Sequence, residues 1–403
     1  MTENSKPSPN AEFIIMIAFM ISMVALSIDI ILPAMGQIGT DLPVANANDV
    51  QLVITLLFLG FAVGQIFVGP LSDSYGRKPT ILGAFLVFFL GCGFAIWSPS
   101  FEVLLIGRVL QGIGLAGPRI VSNAIVRDLY VGRGMAKVMS VIMMLFILVP
   151  MVAPALGQLV MNILHWRAIF VLLLLAGGCA ALWYGLRQGE TLAPENRRDF
   201  NLATIWMGIK SVFSNRVALG YTISMGFIFG PFLGYLSVAQ KLFHETYAVG
   251  NMFAFYFAMA AFSIGLASLV NSRLVERFGM AYLSIRALIY VTCLSAIGVT
   301  VTFIYDGIPP FWMFMVWLNL VFFAIGIIFG NLNALAMEPL GHIAGLGAAV
   351  VGSISTLMSL PVAWLIGDGF DGTLIPMMLG FCFAAVGSFS AFMWATRARS
   401  SDE

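Results

Sequence analysis

The sequence predicts an all-α membrane protein of twelve spans arranged as two six-helix bundles. Three observations predict it. Of the 403 residues only 10% are charged while 60% are hydrophobic, with a mean hydropathy of +0.97, a balance that no soluble globular domain of this size carries. Twelve apolar runs are long enough to cross a hydrocarbon core of about 30 Å as helices. Finally, short patterns in the first half recur in the second, as a duplicated bundle requires.

Taken in order, the first-half spans run from about Phe13 to Leu32, Leu52 to Val68, Thr80 to Trp97, Val103 to Val126, Val138 to Val160 and Ile169 to Leu186. The second-half spans run from Val217 to Val238, Val249 to Val270, Tyr282 to Tyr305, Pro310 to Met337, Ile343 to Ile366 and Leu374 to Thr396. The first run is too long for a signal-peptide core and no small-residue cleavage site follows it, so it reads as a permanent span. Between the halves lies the one long polar segment, carrying Glu190, Glu195, Arg197, Arg198, Asp199 and Lys210. The domains expected are therefore residues 1–186 and 217–403, joined by a linker over 187–216.

Sidedness follows from where Lys and Arg fall, because basic residues in short loops stay cytoplasmic. Lys6, Arg77, Lys78, Arg127, Arg133, Lys137, Arg187, Arg197, Arg198, Lys210, Arg216, Arg273, Arg277, Arg397 and Arg399 lie on one side, against Arg167 and Lys241 on the other. Both termini and the linker are expected in the cytoplasm. A net charge of +1 and the lack of a basic tail give no footprint for nucleic acid. Cys92, Cys179, Cys293 and Cys382 sit singly inside apolar runs and read as small hydrophobes, not as disulfides or a metal site.

The dense charged cluster Gly69-Pro70-Leu71-Ser72-Asp73-Ser74-Tyr75-Gly76-Arg77-Lys78-Pro79-Thr80 separates two uncharged runs and must be a tight hinge. Gly76 supplies backbone freedom and Pro79 suits a first helical turn. Asp73 is expected to face the positive end of a neighbouring helix, with Arg77 and Lys78 wet. Leu71, Asp73 and Gly76 recur 203 positions later as Leu274, Glu276 and Gly279, and Asn123-Ala124 with Arg127-Asp128 recurs as Asn333-Ala334 with Met337-Glu338. The hinge resembles the signature loop of the major facilitator superfamily of secondary transporters. That resemblance implies two pseudo-symmetric bundles, a small-molecule substrate between them, and a charge network of Asp73, Arg77 and Asp128, with Gly69 and Gly76 in the loop, that latches the halves when the cavity opens outward.

Four charges lie inside spans: Asp29, Arg108, Arg119 and Arg286. Each costs several kcal/mol unless paired or facing a wet cavity, which makes function the default reading. Arg286 is near enough to a span end to snorkel. Asp29 and Arg108 fall at matching depth, so a pair is expected. Burial favours the neutral form of a carboxyl and a cation favours the charged one, and access to water decides between them. A carboxyl so poised can carry a proton; the bland alternative is a static pair holding two spans together. Leu104, Arg108, Gln111, Gly112, Gly114 and Ala116 resemble the superfamily's fourth-span motif, in which the arginine is linked to proton transfer. Gly112, Gly114 and Gly117 also spell a dinucleotide fingerprint, but no strand precedes them, and small residues in an apolar helix serve close packing. Arg119 lies eleven residues beyond Arg108, about three turns along nearly one face. With one acid against two arginines the cavity leans positive, which points to neutral or anionic amphipathic substrates.

Val149-Pro150-Met151-Val152-Ala153-Pro154-Ala155-Leu156-Gly157-Gln158 resembles the antiporter motif, with Val149, Ala153 and Gln158 where glycines are usual. Pro150 and Pro154 remove two backbone donors and bend the helix. The Ala-Pro form is similar to the bicyclomycin and chloramphenicol resistance (Bcr/CflA) type, as are Leu26 to Ala34, Arg127 to Tyr130, Trp166-Arg167 with Phe170, and Gly189 to Leu192. The resemblance implies a proton-driven drug exporter of the inner membrane, needing no cofactor beyond protons as coupling ion and working as a monomer. Ser22 and Asp29, Asn123, Tyr221, Phe229, Tyr235, Asn331 and Asn333 are the expected cavity residues, with Arg119. Proton-coupled uptake of a small metabolite shares the fold and the embedded charges; the direction of counterflow in everted vesicles separates the two. An enzyme is disfavoured: there is no nucleophile elbow, phosphate loop or metal-spaced cluster, and His165, His244 and His342 are scattered at span ends.

Overall fold

The computed structural model describes residues 10–402. Lys6 lies outside them, as do the side chains of Arg133, His342 and Arg399. Among the described residues there is helix and no strand, because a lipid-facing backbone must satisfy its own hydrogen bonds. The helices are α1 (Ala11–Asp29), α2 (Met35–Asp41), α3 (Leu52–Tyr75), α4 (Arg77–Ile96), α5 (Phe101–Leu129), α6 (Gly132–Ile163) and α7 (Arg167–Arg187) in the first half. After them come α8 (Leu202–Ser214), α9 (Arg216–Lys241), α10 (Phe253–Phe278), α11 (Met280–Ile304), α12 (Phe311–Met337), α13 (Ala344–Asp368) and α14 (Ile375–Asp402). Twelve spans result, α1 and α2 together forming the first.

Two of these elements depart from expectation. The first span does not end at Leu32 but breaks after Asp29 and resumes as α2, because Pro33 has no N–H for the Asp29 carbonyl and its ring crowds that turn. The linker is not wholly polar either. Asn201 accepts from the Ala203 N–H at 2.7 Å and starts α8, whose Ile205, Gly208 and Val212 are buried against Leu346 of α13 and its surroundings.

Small residues bring the helices close. A Cβ on Gly60 of α3 or Gly112 of α5 would strike the other helix's backbone, and one on Gly114 would meet that of α4. The glycines that mimic a dinucleotide site are helix-packing notches. The two halves meet along α3 with α13 and α6 with α10. Gly76 and Gly279 both take positive φ, +103° and +79°, at the matching short joints after α3 and α10, so the repeat read in sequence is repeated in backbone.

Candidate functional site

The site grows out of the break in the first span. A helix that stops leaves its last carbonyls without intrahelical donors. Here the Ile30 N–H still reaches Leu26, but the Ser27 carbonyl accepts instead from Arg108 Nη2 at 3.1 Å. The same guanidinium donates to the Val53 carbonyl of α3 at 2.8 Å and to Gln111 Oε1 at 2.8 Å, and Gln111 reaches Cys92 of α4. Arg108 is fully buried and ties α1, α3, α4 and α5 together. The expected Asp29–Arg108 ion pair is therefore absent: the donors of Arg108 point at backbone carbonyls, and no carboxylate lies within ion-pair distance of it among the described residues.

Asp29 instead lies close to the other half, where the residues just past the break meet α9. Only 5% of it is exposed, and it engages no hydrogen bond or ion pair among the described residues. Its carboxyl is within electrostatic reach of Tyr235 on α9, whose hydroxyl is also buried and unpartnered. Tyr235 packs on Phe257 and Phe322, while Phe229 one and a half turns away touches Phe58 of α3, Phe232 and Phe329. A buried carboxyl thus lies near an aromatic cluster at the seam between the bundles. On the other side of the break, Gly157 leaves room for the Ile30 carbonyl and the Pro33 ring, so α6 with Pro150 and Pro154 supports the segment that carries Asp29.

Nearer the termini, Arg119 lies over the Phe146 ring at 5.1 Å with Nη1 buried and unpartnered, and Asn123 one turn on has Oδ1 in the same condition. Ser22 is buried on α1. The structure does not place Tyr221 and Asn331 in a cavity. Tyr221 is buried against Phe392 and bonds Thr396 at 3.3 Å, and the Asn331 amide is paired reciprocally with Asn271 at 3.0 and 2.9 Å, which knits α10 to α12. Asn333 is exposed, and so is Arg286, which lies over Tyr282 as a snorkelling cation does.

At the hinge Arg77 is not wet. It is buried, with Nη1 bonded to Asp73 at 2.5 Å and Ser72 at 2.9 Å and Nε to Asp128 at 2.9 Å. The trio binds within the first bundle and to the linker, where Thr191 donates to Asp128 at 3.2 Å and the Arg198 N–H to the Asp73 carbonyl at 3.0 Å; among the described residues none of its bonds reaches the second bundle, which is met there by Gly69 packing near Ala349 and Arg127 near Gly345. Gly76 has no side chain to cap α4, and the linker supplies one: Glu190 accepts from the N–H groups of Arg77, Lys78, Thr191 and Leu192 at 2.9 to 3.0 Å. Burial pushes the Glu190 carboxyl up, but these four donors outweigh it and hold it below the usual carboxylate range. Because its folded value is depressed, its contribution is full above the unfolded carboxylate value of about 4.3 and fades as pH falls through the lower folded value. Limited proteolysis should find residues 188–200 protected at neutral pH and cut faster in strong acid, and Glu190→Gln should be cut faster already at neutral pH.

At the face opposite the termini the halves are clasped by hydrogen bonds. Asn48 Nδ2 donates to the carbonyls of Asp368 and Phe370, both at 2.8 Å, and Lys241 Nζ donates to Ala47 O and Asn48 Oδ1 at 2.7 Å. Reasoning from sequence missed this clasp, since polar residues in a short loop read as solvated.

Residues 12–363 match the Major Facilitator Superfamily. The chain belongs to that superfamily. An uncharacterized MFS-type transporter of Bacillus subtilis is 32% identical over 96% of both chains, and a bicyclomycin resistance protein homolog of Haemophilus influenzae is 29% identical over 95% of this chain and 96% of its own. The xylose transporter XylE from E. coli, solved partially occluded and open inward, shares the fold with a TM-score of 0.71 over 95% of this chain at 14% identity. Within this superfamily member Arg108 works as a cap for a broken span. Arg108→Ala should orphan the buried Ser27 carbonyl and the Gln111 amide oxygen at roughly 1–3 kcal/mol each, and Arg108→Lys, with one donor direction fewer, should lose less. Thermal unfolding in detergent reads this directly; an unchanged Tm in Arg108→Ala would return the residue to a purely chemical role.

Proposed function

We propose that this protein is a proton-driven exporter of small amphipathic drugs or toxic compounds across the inner membrane, working by alternating access as a monomer with both termini cytoplasmic. The observation that carries the reading is Asp29: a buried carboxyl lodged at a break in a span, without partner among the described residues, near Tyr235 of the other bundle. An intramembrane acid in such a place is costly unless it takes up and releases a proton or engages cargo. The cargo expected is neutral or anionic, because Arg119 carries an unpartnered buried donor and Asn123 an unpartnered acceptor where a cation would be repelled. The bicyclomycin resistance homolog among the relatives supports drugs as the class.

The test is a toxicity panel in a pump-deficient host. Expression should raise the tolerated concentration of at least one neutral or anionic compound several-fold, and a protonophore should cancel the gain. Everted vesicles should take the compound up when their interior is acidified. A panel with no gain, or uptake favoured in the opposite direction, would defeat the proposal.

A further inference from the structure

Between the ends of the two bundles, at the face opposite the termini, lies a cavity of about 350 Å³, inside the range of small-molecule sites. Neither Asp29 nor the aromatic residues around Tyr235 line it, yet it adjoins both along the chain. Met35, just beyond the break, lines it from the first bundle, and Ser237, two residues past Tyr235, lines it from the second. Two glutamines flank it in a reciprocal way. Gln51 of the first bundle lies against the backbone of Gly367, and Gln240 of the second lies against Gly36, its Nε2 only 3.1 Å from where a Cβ would stand. Glycine at 36 and 367 is what lets each amide reach so far across.

The amides are held in place but left without partners. Gln51 is 3% exposed and neither Oε1 nor Nε2 has one; Gln240 Oε1 is equally buried and unpartnered. Each such orphan costs about 1–3 kcal/mol, and although other buried side chains among the described residues also lack partners, only these three atoms belong to residues lining the cavity. A wall that keeps three such atoms free beside a cavity is built for something that brings its own donors and acceptors. Charge does not supply that something. Lys241 is already bonded to Ala47 and Asn48 and feels Glu245 nearby, so the two charges of the lining answer each other.

Resting on the export reading above, we infer that this cavity is a second solute station on the route between Asp29 and the far face, and that it takes an uncharged cargo bearing amide or hydroxyl groups. Cargo leaving the aromatic seam would exchange apolar contact for hydrogen bonds to Gln51 and Gln240 beneath the Asn48–Lys241 clasp. The clasp then opens on a solute already dehydrated from the seam and partly rehydrated by amides. A permanent cation or a bare hydrocarbon has no counterpart in this lining and is rejected there.

Chloramphenicol, a neutral amide with two hydroxyls, is a suitable probe. Equilibrium binding of the labelled compound to the purified full chain in nanodiscs should show two sites, one of which weakens at least tenfold in Gln51→Met with Gln240→Met. The other should remain. A second measurement does not depend on that double variant folding: in Thr40→Cys, which lines the cavity but leaves both amides in place, labelling by a membrane-impermeant maleimide should be slowed by chloramphenicol in both the Asp29 and the Asp29→Asn background. A single class of sites unaffected by the glutamine changes, labelling indifferent to the probe, or no binding to the wild type would overturn the inference and leave the cavity to water. Failure of the export reading looks different: Asp29→Asn would export normally while both binding results stood.

Discussion

Asp29→Asn is expected to abolish energised export while leaving the fold and downhill exchange of cargo intact. Asparagine has the shape of the neutral acid and makes no new charge, and Asp29 has no ion pair or hydrogen bond among the described residues to lose. Packing around it should therefore hold, with a Tm close to that of the wild type. Removed instead is the one acid among the described residues that lies buried inside a span at the seam. Moving one charge through a potential of 100 mV is worth about 2.3 kcal/mol, enough to hold a neutral solute at a gradient of roughly 50-fold. Without the carboxyl that gradient should fall to one. Vesicles loaded with cargo should still exchange it with external cargo, since rocking between the two states does not itself need a proton in this variant. Accumulation in Asp29→Asn vesicles equal to the wild type would remove Asp29 from the coupling scheme altogether. The pH profile adds an arm: wild-type exchange should change with pH on either face, and that of the variant should be flat.

Much of the architecture was legible because lipid is an unforgiving solvent. Uncharged runs of span length have one solution, and Gly76 and Gly279 announced matching joints that the backbone then repeated. Asp29 was legible for the same reason, since a lone carboxyl among Leu26, Ile28, Ile30 and Ile31 stands out. Its partner was not. Depth alone suggested Arg108, but depth says nothing of direction, and only the break at Pro33 explains why the guanidinium turns to the Ser27 carbonyl. Tyr221 and Asn331 were misplaced because their partners, Thr396 and Asn271, lie 175 and 60 residues away on helices whose rotation the sequence does not state. Arg77 was expected in water because charged loops usually are; three acceptors drew it inside. The helix in the linker hid behind polar neighbours although Ile205, Gly208 and Val212 carry its period. One overlooked signal was present. Gln51 and Gln65 are 14 residues apart on one face of the second span, and each lies against a glycine of α13, Gly367 and Gly352.

That seam sets up the second large effect. Gly367→Leu should jam the protein with the face opposite the termini unable to close. A side chain at 367 would occupy the place of the Gln51 amide, and the carbonyls of Asp368 and Phe370, which Asn48 holds at 2.8 Å, follow directly in the chain. Gln51 ends a flexible side chain, so a lone methyl is expected to be partly tolerated, and Gly367→Ala should be mild. Leucine reaches further than a methyl and would drive the Gln51 amide into the cavity that Gln51 itself lines, beneath the shut clasp. Overpacking of this kind costs about 1–3 kcal/mol. It falls only on the clasped state, so it biases the two-state equilibrium roughly 5- to 150-fold towards the open one. Export should drop by about the upper part of that range, and Gly36→Cys in the same background should react faster with an impermeant maleimide added from the far face. Shortening the opposing side chain with Gln51→Ala should return the Gly36→Cys labelling rate most of the way to that of the clasped protein, a rescue that general unfolding would not permit. If Gly367→Leu exported normally, or if Gln51→Ala gave it no relief, the two halves would not be closing on this seam, and the clasp at Asn48 would be an ornament of one resting state and no gate.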